Sequence, residues 1–381
     1  MNRWREGKLP DLRKLSELPG IGGLMLAGAR PVLAIGLALI VSAFLIMAYG
    51  KNPIAAYAAL LEGSVGNMAS FANTCVRATP LLLGALGVAF AFQAGLLNVG
   101  IEGQLYLGAA AATAVGLTPL PVPPFVHLSL AVIAGFIGGA LWGLVPAYLR
   151  AYRGVSEIVT TLMLNYVGIH LVSYMVHEPA LLAEVNTFYP MSPPILPGAH
   201  LPILLRGTSL HSGVILSVVL GLVVYFVLRY TPFGFRVRMT GQNPEAARYA
   251  GIKVKWQLLL VLLISAGLGG LAGTGEVLGL KLRLFDFFST GLGYDAIGVA
   301  LLANANPIGV ILSAFFFGAL RAGANKMQIA VGIETPIAEV IQALAVLFVI
   351  AIGFSEHVRS TRHEKMLETE KSVSQDVATH G

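Results

Sequence analysis

Six polar side chains interrupt long apolar stretches of this chain and are suited to contact a polar solute. They are Asn98, Glu102, Gln104, Asn165, Tyr166 and Glu276. Amides, a phenol and carboxylates can pair with hydroxyl groups and ring edges of a small molecule. Polar side chains within membrane-spanning segments are energetically expensive and mark solute pathways. We therefore predict that these six residues belong to a route for a polar substrate.

A glycine-rich break accompanies the first three of these residues. The segment 95–103 separates two apolar stretches with almost no loop, and Asn98 and Glu102 are spaced to share one helical face. Backbone groups freed at such a break can face a cavity. The alternative is that Asn98, Glu102 and Gln104 cap and pin the break, and the two roles can coexist.

The other candidates have structural alternatives as well. Asn165 and Tyr166 are suited to hydrogen bonds between helices. Glu276 is predicted near the outer end of a span, where it can line the pathway. His170 is predicted to be a buried, hydrogen-bonded core residue rather than a proton relay.

Catalytic and metal-binding patterns are missing from the sequence. There is no His-Glu-x-x-His or Gly-x-Ser-x-Gly motif and no Gly-x4-Gly-Lys-Ser/Thr phosphate loop. Cys75 is the single cysteine, so an intrachain disulfide is impossible, and no Cys/His cluster accompanies it. We predict that the chain is not an enzyme and binds no metal or cofactor of its own.

The composition explains where these polar residues must lie. The chain is 56% hydrophobic and only 12% charged, with a mean hydropathy of +0.77, whereas soluble domains are about 25% charged. Apolar runs of about 20 residues match helices that cross a bilayer, and the alternating segments of about ten residues typical of membrane barrels are not seen. The net charge of +6 comes from basic loops, which indicates membrane topology rather than nucleic-acid binding.

We predict an all-α, polytopic membrane bundle of about ten segments, some short or broken. The spans are placed at about 31–50, 76–94, 99–117, 127–149, 157–177, 212–229, 257–280, 294–303, 306–322 and 336–354. The eighth is too short to cross alone, and Pro307 with its flanking asparagines, Asn304 and Asn306, predicts that the eighth and ninth are half-helices with capped ends.

Basic residues predict the orientation. With both termini in the cytoplasm, the segments 1–30, 150–156, 229–256 and 355–381 hold 18 of the 25 Lys and Arg residues. The chain therefore reads as a basic N-terminal segment (1–30), a transmembrane domain (31–354) and a flexible tail (355–381). The proline-rich loop 178–211 is then on the outer side.

The inner loop 229–256 contains a predicted short surface helix. Asn243 caps its start, Pro244 suits its first position, Glu245 complements the dipole and Gly251 ends it. Such a helix, between two spans and on the basic side, can dock on a partner and move both spans. An ordinary amphipathic connector is the alternative.

The loop Gly241-x-Asn-Pro-Glu-Ala-Ala-x-Tyr-Ala-Gly-Ile252 resembles the coupling helix of ABC importer permeases. The usual downstream Ile-x-Leu-Pro is absent, and the form is similar to the branch serving ribose, branched-chain amino acids and nucleosides. The segments 95–104, 294–309 and 317–323 also resemble that branch, over about residues 30–355. Within it the chain is most similar to nucleoside (simple-sugar) permeases that work with a basic-membrane-protein-type binding lipoprotein.

The resemblance implies a plasma-membrane permease subunit that imports nucleosides. It implies three partners: a cytoplasmic ATPase that carries ATP, a second permease subunit, either an unlike paralogous chain or an identical copy, and an extracytoplasmic binding lipoprotein. The ATPase-coupling residues would be Gly241, Asn243, Pro244, Glu245, Ala246, Ala247, Tyr249 and Gly251.

Three alternatives stay open. One is a ribose, simple-sugar or branched-chain amino acid permease of the same type. Another is an ion-coupled secondary transporter with Glu102, Glu276 and Asp295 as ion sites, which would need no docking helix. The third is a membrane-embedded enzyme or signalling scaffold.

Overall fold

The computed structural model describes residues 21–185 and 187–352. This part of the chain is helical, with two isolated β-bridges and no strand. The helices are α1 (Ile21–Ala48), α2 (Pro53–Val65), α3 (Met68–Gln93), α4 (Ile101–Leu117), α5 (Pro124–Tyr148), α6 (Glu157–His177), α7 (Gly213–Tyr230), α8 (Pro232–Gln242), α9 (Pro244–Tyr249), α10 (Val254–Gly275), α11 (Leu292–Leu302), α12 (Pro307–Val331) and α13 (Pro336–Ile352). Short π-helical turns, Leu149–Arg153 and Glu276–Lys281, extend α5 and α10.

Every predicted span coincides with a helix, so the predicted all-α membrane bundle with short and broken helices is confirmed. Seven described helices are long and apolar enough to cross a membrane: α1, α3, α5, α6, α7, α10 and α12. α4 and α11 are shorter, with 17 and 11 residues. The placement of both termini in the cytoplasm stays a prediction, and residues 1–20 and 355–381 of the two predicted terminal segments lie outside the described residues.

Two details of the sequence-based layout are wrong. The ninth span is not a half-helix, because α12 runs for 25 residues and is long enough to cross. The helices α2 and α8 were not predicted. Both are short and close to a longer helix, so hydropathy alone merges them with neighbouring loops.

Three Asn-Pro pairs start helices in the same way. Asn52, Asn243 and Asn306 precede α2, α9 and α12, and each side chain accepts a hydrogen bond from a backbone N–H in the first turn. The asparagine satisfies groups that have no partner within the helix, and the proline supplies a favourable φ where its missing N–H costs nothing. The predicted capping role of Asn306 is thereby confirmed. Asn304 instead adopts a positive φ of 49° in the turn between α11 and α12.

The chain divides into two compact units, one with residues up to Leu45 and from Val340 onward, and one with Ile46–Glu339. In the described part of the first unit are most of α1 and of α13. In the second unit α3 and α10 are central. α10 packs on α3, α4 and α5, and α3 packs on α7, α11 and α12.

Small residues bring the central helices together. A Cβ at Gly270 of α10 would lie 2.9 Å from the Cα of Gly139 in α5, and a Cβ at Gly108 of α4 would collide with the Gly270 backbone. Three backbones therefore meet at Gly270, which agrees with the use of glycine at helix crossings in membranes. This close packing fixes the middle of α4 against α10.

Candidate functional site

The break between α3 and α4 is held by a buried amide network. The Asn98 side chain is fully buried and donates to Gln104 Oε1 and to Ser265 Oγ, each at 2.9 Å. Its Oδ1 accepts from the Gly100 N–H at 3.0 Å and from Gln104 Nε2 at 3.1 Å. Ser265 of α10 in turn donates to the Gly87 carbonyl at 2.7 Å. All four hydrogen-bonding positions of Asn98 are used, so this network joins α3, the break, α4 and α10.

Asn165 of α6 holds the same break from the other side. Its Oδ1 accepts from the Gly103 N–H at 2.8 Å, and its Nδ2 donates to the Val99 carbonyl at 2.9 Å. The Gly103 N–H is among the first four of α4 and has no partner within the helix. Nδ2 also lies 3.4 Å from the Tyr294 hydroxyl of α11. Asn165 thus caps a helix that belongs to another part of the chain.

Glu102 joins the start of α4 to the start of α11. Its buried carboxylate accepts from the Gly293 N–H at 2.5 Å and also faces Ser289 and the Gly291 N–H. A Cβ at Gly293 would collide with the Glu102 backbone, so the two helix starts are in direct contact. The positive ends of both helix dipoles point at one carboxylate, which favours a negative charge there and offsets part of the cost of burying it.

One expectation about this region is wrong. Asn98 and Glu102 do not share a helical face, because α4 begins at Ile101 and Asn98 lies in the preceding turn. Asn98 points to α10 and Glu102 to α11. The break itself, between Gln93 and Ile101, is where the glycine pattern predicted it.

Glu276 is not part of this cluster. It follows Ser265 by eleven residues on α10, which at 1.5 Å per residue is about 16 Å along the helix. Its carboxylate lies 3.9 Å from Lys281 Nζ and faces the guanidinium groups of Arg77 and Arg321. Arg321 of α12 also pairs with Asp295 of α11 at 2.5 Å. These charges form a second group, at the far end of α10.

Tyr166 points away from Asn165 and is exposed. On the same exposed face of α6 is His170, whose ring lies edge-on to Phe287 at a centroid distance of 6.1 Å. The prediction that His170 is buried in the core is therefore wrong. Tyr166 also lies close enough to Tyr294 to interact with it electrostatically.

Several residues of the site had no distinctive sequence signal. Ser265 and Ser289 are single serines in or beside apolar segments. Tyr106 was within reach of sequence reasoning, because it lies one turn after Glu102 on the same face of α4. Its hydroxyl accepts from the Ser289 N–H at 3.2 Å, and its ring packs on Phe288 at 4.6 Å. Among the described residues, no three His, Cys, Asp or Glu side chains are grouped to hold a metal.

The predicted surface helix in the loop 229–256 is present as α9, preceded by the unpredicted α8. Asn243 Oδ1 accepts from the N–H groups of Glu245 and Ala246 at 3.0 and 3.1 Å. Gly251 ends the turn with a φ of 80°. Of the residues in α9 only Ala247 is buried, whereas Tyr249 is almost fully exposed. Most of α9 is therefore free of contacts within this chain.

The end of α8 lies directly against the start of the break. A Cβ at Gly241 would lie 2.7 Å from the Ala94 carbonyl carbon, and one at Gly95, where φ is 75°, would lie 3.3 Å from the Gly241 oxygen. Gln93 Nε2, at the end of α3, donates to the Ala305 carbonyl between α11 and α12 at 3.1 Å. The α8–α9 segment and the α11–α12 turn therefore meet the same end of α3.

The long loop 178–211 pairs with the segment after α10. The N–H groups of Ser192 and Ile195 donate to the Leu284 and Leu282 carbonyls at 2.8 and 3.0 Å, and Glu184 forms an ion pair with Arg283. At the end of this loop His211 packs its ring on Gly279. Burial lowers the pKa of His211 to about 4 because the charged form loses its hydration.

Comparisons with known proteins agree on one family. Residues 70–351 match the family described as branched-chain amino acid transport system / permease component. The guanosine ABC transporter permease protein NupP of Bacillus subtilis (strain 168) is 34% identical over 84% of this chain and 92% of its own. The glucose ABC transporter permease protein TsgB13 of Haloferax volcanii is 33% identical over 88% of this chain and 90% of its own length. The nucleoside ABC transporter permease protein NupB of Lactococcus lactis subsp. cremoris (strain MG1363) is 31% identical over 92% of this chain and 95% of its own length.

Proposed function

Since the chain belongs to the branched-chain amino acid transport system / permease component family, we propose that it is the permease subunit of an ATP-driven system that imports nucleosides. The chain is a multi-pass permease of the plasma membrane. The nucleoside assignment is carried by the guanosine and nucleoside permeases, which align with 84% and 92% of this chain.

Sugar import is the second candidate. The glucose permease is 33% identical over 88% of this chain, nearly the same as the guanosine permease. A nucleoside contains a pentose, so one pathway with hydroxyl-binding groups suits either class. Two of the three relatives named above are guanosine or nucleoside permeases, which favours the nucleoside.

In this proposal the pathway passes the start of α4. The main role of Asn98, Gln104 and Asn165 is to stabilise the break, because each side chain is buried and hydrogen-bonded there. Glu102 fixes the start of α11 in the same way. The exposed Tyr166 contacts substrate. Glu276 lines the pathway at the far end of α10, beside its basic neighbours.

ATP binding and hydrolysis belong in this proposal to a separate cytoplasmic ATPase, which docks on α9. The support is that α9 exposes Glu245, Arg248 and Tyr249, while α8 contacts the break through Gly241. Asn243 and Pro244 start the helix and Gly251 ends it. Ala246 and Ala247 lie on the side of α9 that packs against the rest of the chain. A motion of the ATPase would thus be passed through α8 to the end of α3.

The further partners are a second permease subunit and an extracytoplasmic binding lipoprotein. The second permease is expected to be an unlike, related chain, with an identical copy as the alternative. Nucleic acid has no role in this proposal. The chain itself would bind no cofactor.

Uptake in cells that lack the gene, with and without its reintroduction, tests the substrate and the energy source. We expect restored uptake of radiolabelled guanosine that unlabelled nucleosides suppress and glucose, ribose and leucine do not. We also expect uptake to persist after the proton gradient is collapsed while ATP is maintained. Restored uptake of radiolabelled glucose without uptake of guanosine would assign the sugar, and loss of uptake with the proton gradient would refute ATP coupling.

Docking on α9 is tested by Tyr249→Ala, which removes an exposed side chain without affecting the cap. We expect loss of co-purification with the ATPase and of uptake, with normal amounts of the chain in the membrane. Tyr152→Ala is the matched control, because Tyr152 is an exposed tyrosine near Lys255 but outside α9. If the two variants retain the ATPase equally, α9 is not the docking helix.

A further inference from the structure

Four ring-bearing side chains form an exposed surface beside the break, which we call the aromatic face: Tyr166, His170, Phe287 and Tyr294. Tyr166 is 56% exposed, Phe287 54% and Tyr294 37%. The His170 and Phe287 rings are 6.1 Å apart at an interplanar angle of 83°. Tyr294 is linked through its hydroxyl to Asn165, the residue next to Tyr166. The four rings therefore converge from α6, α11 and the segment between α10 and α11.

The depth of this face argues against contact with lipid. Tyr166 and His170 are in the middle third of α6, which runs from Glu157 to His177. Polar side chains in the middle of a span face a cavity or another protein segment, because hydrocarbon cannot satisfy them. Aromatic residues that merely anchor a helix in the bilayer are enriched at its ends. Tyr166 and His170 therefore face a cavity or another protein segment rather than lipid.

The backbone at Phe287 gives an independent indication. Phe287 has a φ of 44°, in the left-handed region that a bulky residue rarely adopts. Such a conformation costs free energy, and it persists where the surrounding structure enforces it, often at ligand-binding positions. Here it holds an exposed aromatic ring beside His170 instead of turning it into the core.

We propose that the aromatic face binds the base of the nucleoside by stacking. This inference rests on the proposed function, and it assigns specificity to Tyr166, His170, Phe287 and Tyr294. Every nucleobase has a π-face, so stacking accepts different bases, whereas a free sugar offers C–H groups and no π-system.

Transport kinetics test the stacking. In membrane vesicles that contain the whole transporter with its partner subunits, we expect Tyr166→Leu and Phe287→Leu to raise the KM for radiolabelled guanosine about tenfold each, in line with base stacking on aromatic side chains. Tyr166→Phe and Phe287→Tyr, which keep the ring, should stay within about twofold of the wild type. Phe226→Leu on α7 is the matched control for removal of an exposed ring. Equal KM values for ring-removing and ring-keeping variants would overturn the stacking.

Cysteine labelling gives a readout that does not depend on turnover. Cys75, the natural cysteine, is buried and is replaced by serine. His170→Cys and Tyr166→Cys should react with a charged, water-soluble thiol reagent, and 1 mM guanosine should slow the reaction whereas ribose should not. Leu222→Cys on α7 should not react. Failure of the α6 cysteines to react, or labelling that guanosine does not slow, would overturn the proposal.

The two hypotheses fail in different ways. If the wild-type chain restores guanosine uptake but the ring-removing variants and the guanosine protection show no effect, the aromatic face is refuted and nucleoside import stands. If the wild-type chain restores glucose uptake and no guanosine uptake, nucleoside import is refuted, and the stacking proposal is refuted with it.

Discussion

Helices α6 and α7 are single spans of similar length with a similar buried share, yet their exposed sides differ. The most apolar window is 22% buried in α6 and 28% buried in α7. Between residues 215 and 226, α7 exposes only apolar side chains: Ile215, Val219, Leu222, Val223 and Phe226. The exposed side of α6 also carries Tyr166, His170, Tyr174 and His177. An apolar exposed side suits lipid, and a mixed one suits water or a partner.

Their buried sides differ as well. Asn165 of α6 makes hydrogen bonds to two backbone groups of the break, more than 60 residues away in the chain. Ser217 of α7 bonds only to the Val214 carbonyl of its own helix. Thus α6 has polar groups in use on both sides, whereas α7 is a packing helix. In the proposed transporter, α6 would line the pathway and α7 would enclose it.

The largest effect is expected on the buried side of α6. Asn165→Ala leaves the Gly103 N–H and the Val99 carbonyl without partners, which should cost about 2–4 kcal/mol of unfolding free energy. Ser217→Ala on α7 is the matched control and should cost less than about 1 kcal/mol, because its acceptor already has a helical partner. Thermal unfolding of the two purified variants in detergent measures the difference. Equal losses would show that the break does not depend on α6.

A charge placed in the middle of each helix tests the difference between the exposed sides of α6 and α7. Leu222→Arg places a guanidinium on the apolar side of α7 and should cost about 2.5–3.5 kcal/mol, as for arginine at the centre of a span. His170→Arg on α6 should cost well under half of that, because a water-filled pathway hydrates the charge. The amount of folded protein in membranes and its thermal stability give the comparison. If His170→Arg is as disruptive as Leu222→Arg, the α6 side faces lipid.

Local sequence signals predicted the parts of this structure that depend on neighbouring residues. The pair Asn243-Pro244 contains both the cap and the first helical residue, so the start of α9 follows from these two residues alone. Apolar runs of sufficient length likewise predicted the spans. The glycines between Gln93 and Ile101 predicted the break, and one of them, Gly95, has a φ of 75° that few other residues tolerate.

Side-chain direction at the site needed the tertiary structure. The spacing of Asn98 and Glu102 suggested one face, but it does not say that α4 starts at Ile101, between them. Asn165 and Tyr166 are about 100° apart around α6, so one pins the break while the other is exposed. The residues that contact the site come from distant segments of the chain, and no local pattern predicts that Ser265, Gly293 or Phe287 lies there.

Acidification should act at the start of α7 through His211. Its pKa in the folded state is about 4, below the usual value of about 6.5, so the unfolded chain binds more protons between these values. Stability from this group is complete above about pH 6.5 and falls as the pH drops toward 4, by about 2 kcal/mol between pH 7 and pH 5. Unfolding of the wild type and of His211→Gln over this range measures the effect. Parallel curves for the two proteins would contradict it.

The smallest effect is expected at the contacts that attach α6 and α7 to their neighbouring helices. The Trp142 indole of α5 donates to the Leu164 carbonyl of α6 at 3.2 Å, whereas Gly221 of α7 packs on the Ile311 side chain of α12. Trp142→Phe keeps an aromatic ring and removes the bond, so it should cost about 0.6 kcal/mol, the average for such bonds between membrane helices. The carbonyl is within α6 and retains its helical partner, which is why the loss should stay below that of Asn165→Ala. A loss from Trp142→Phe as large as that from Asn165→Ala would mean that packing against α5, rather than the polar contacts at the break, holds α6 in place.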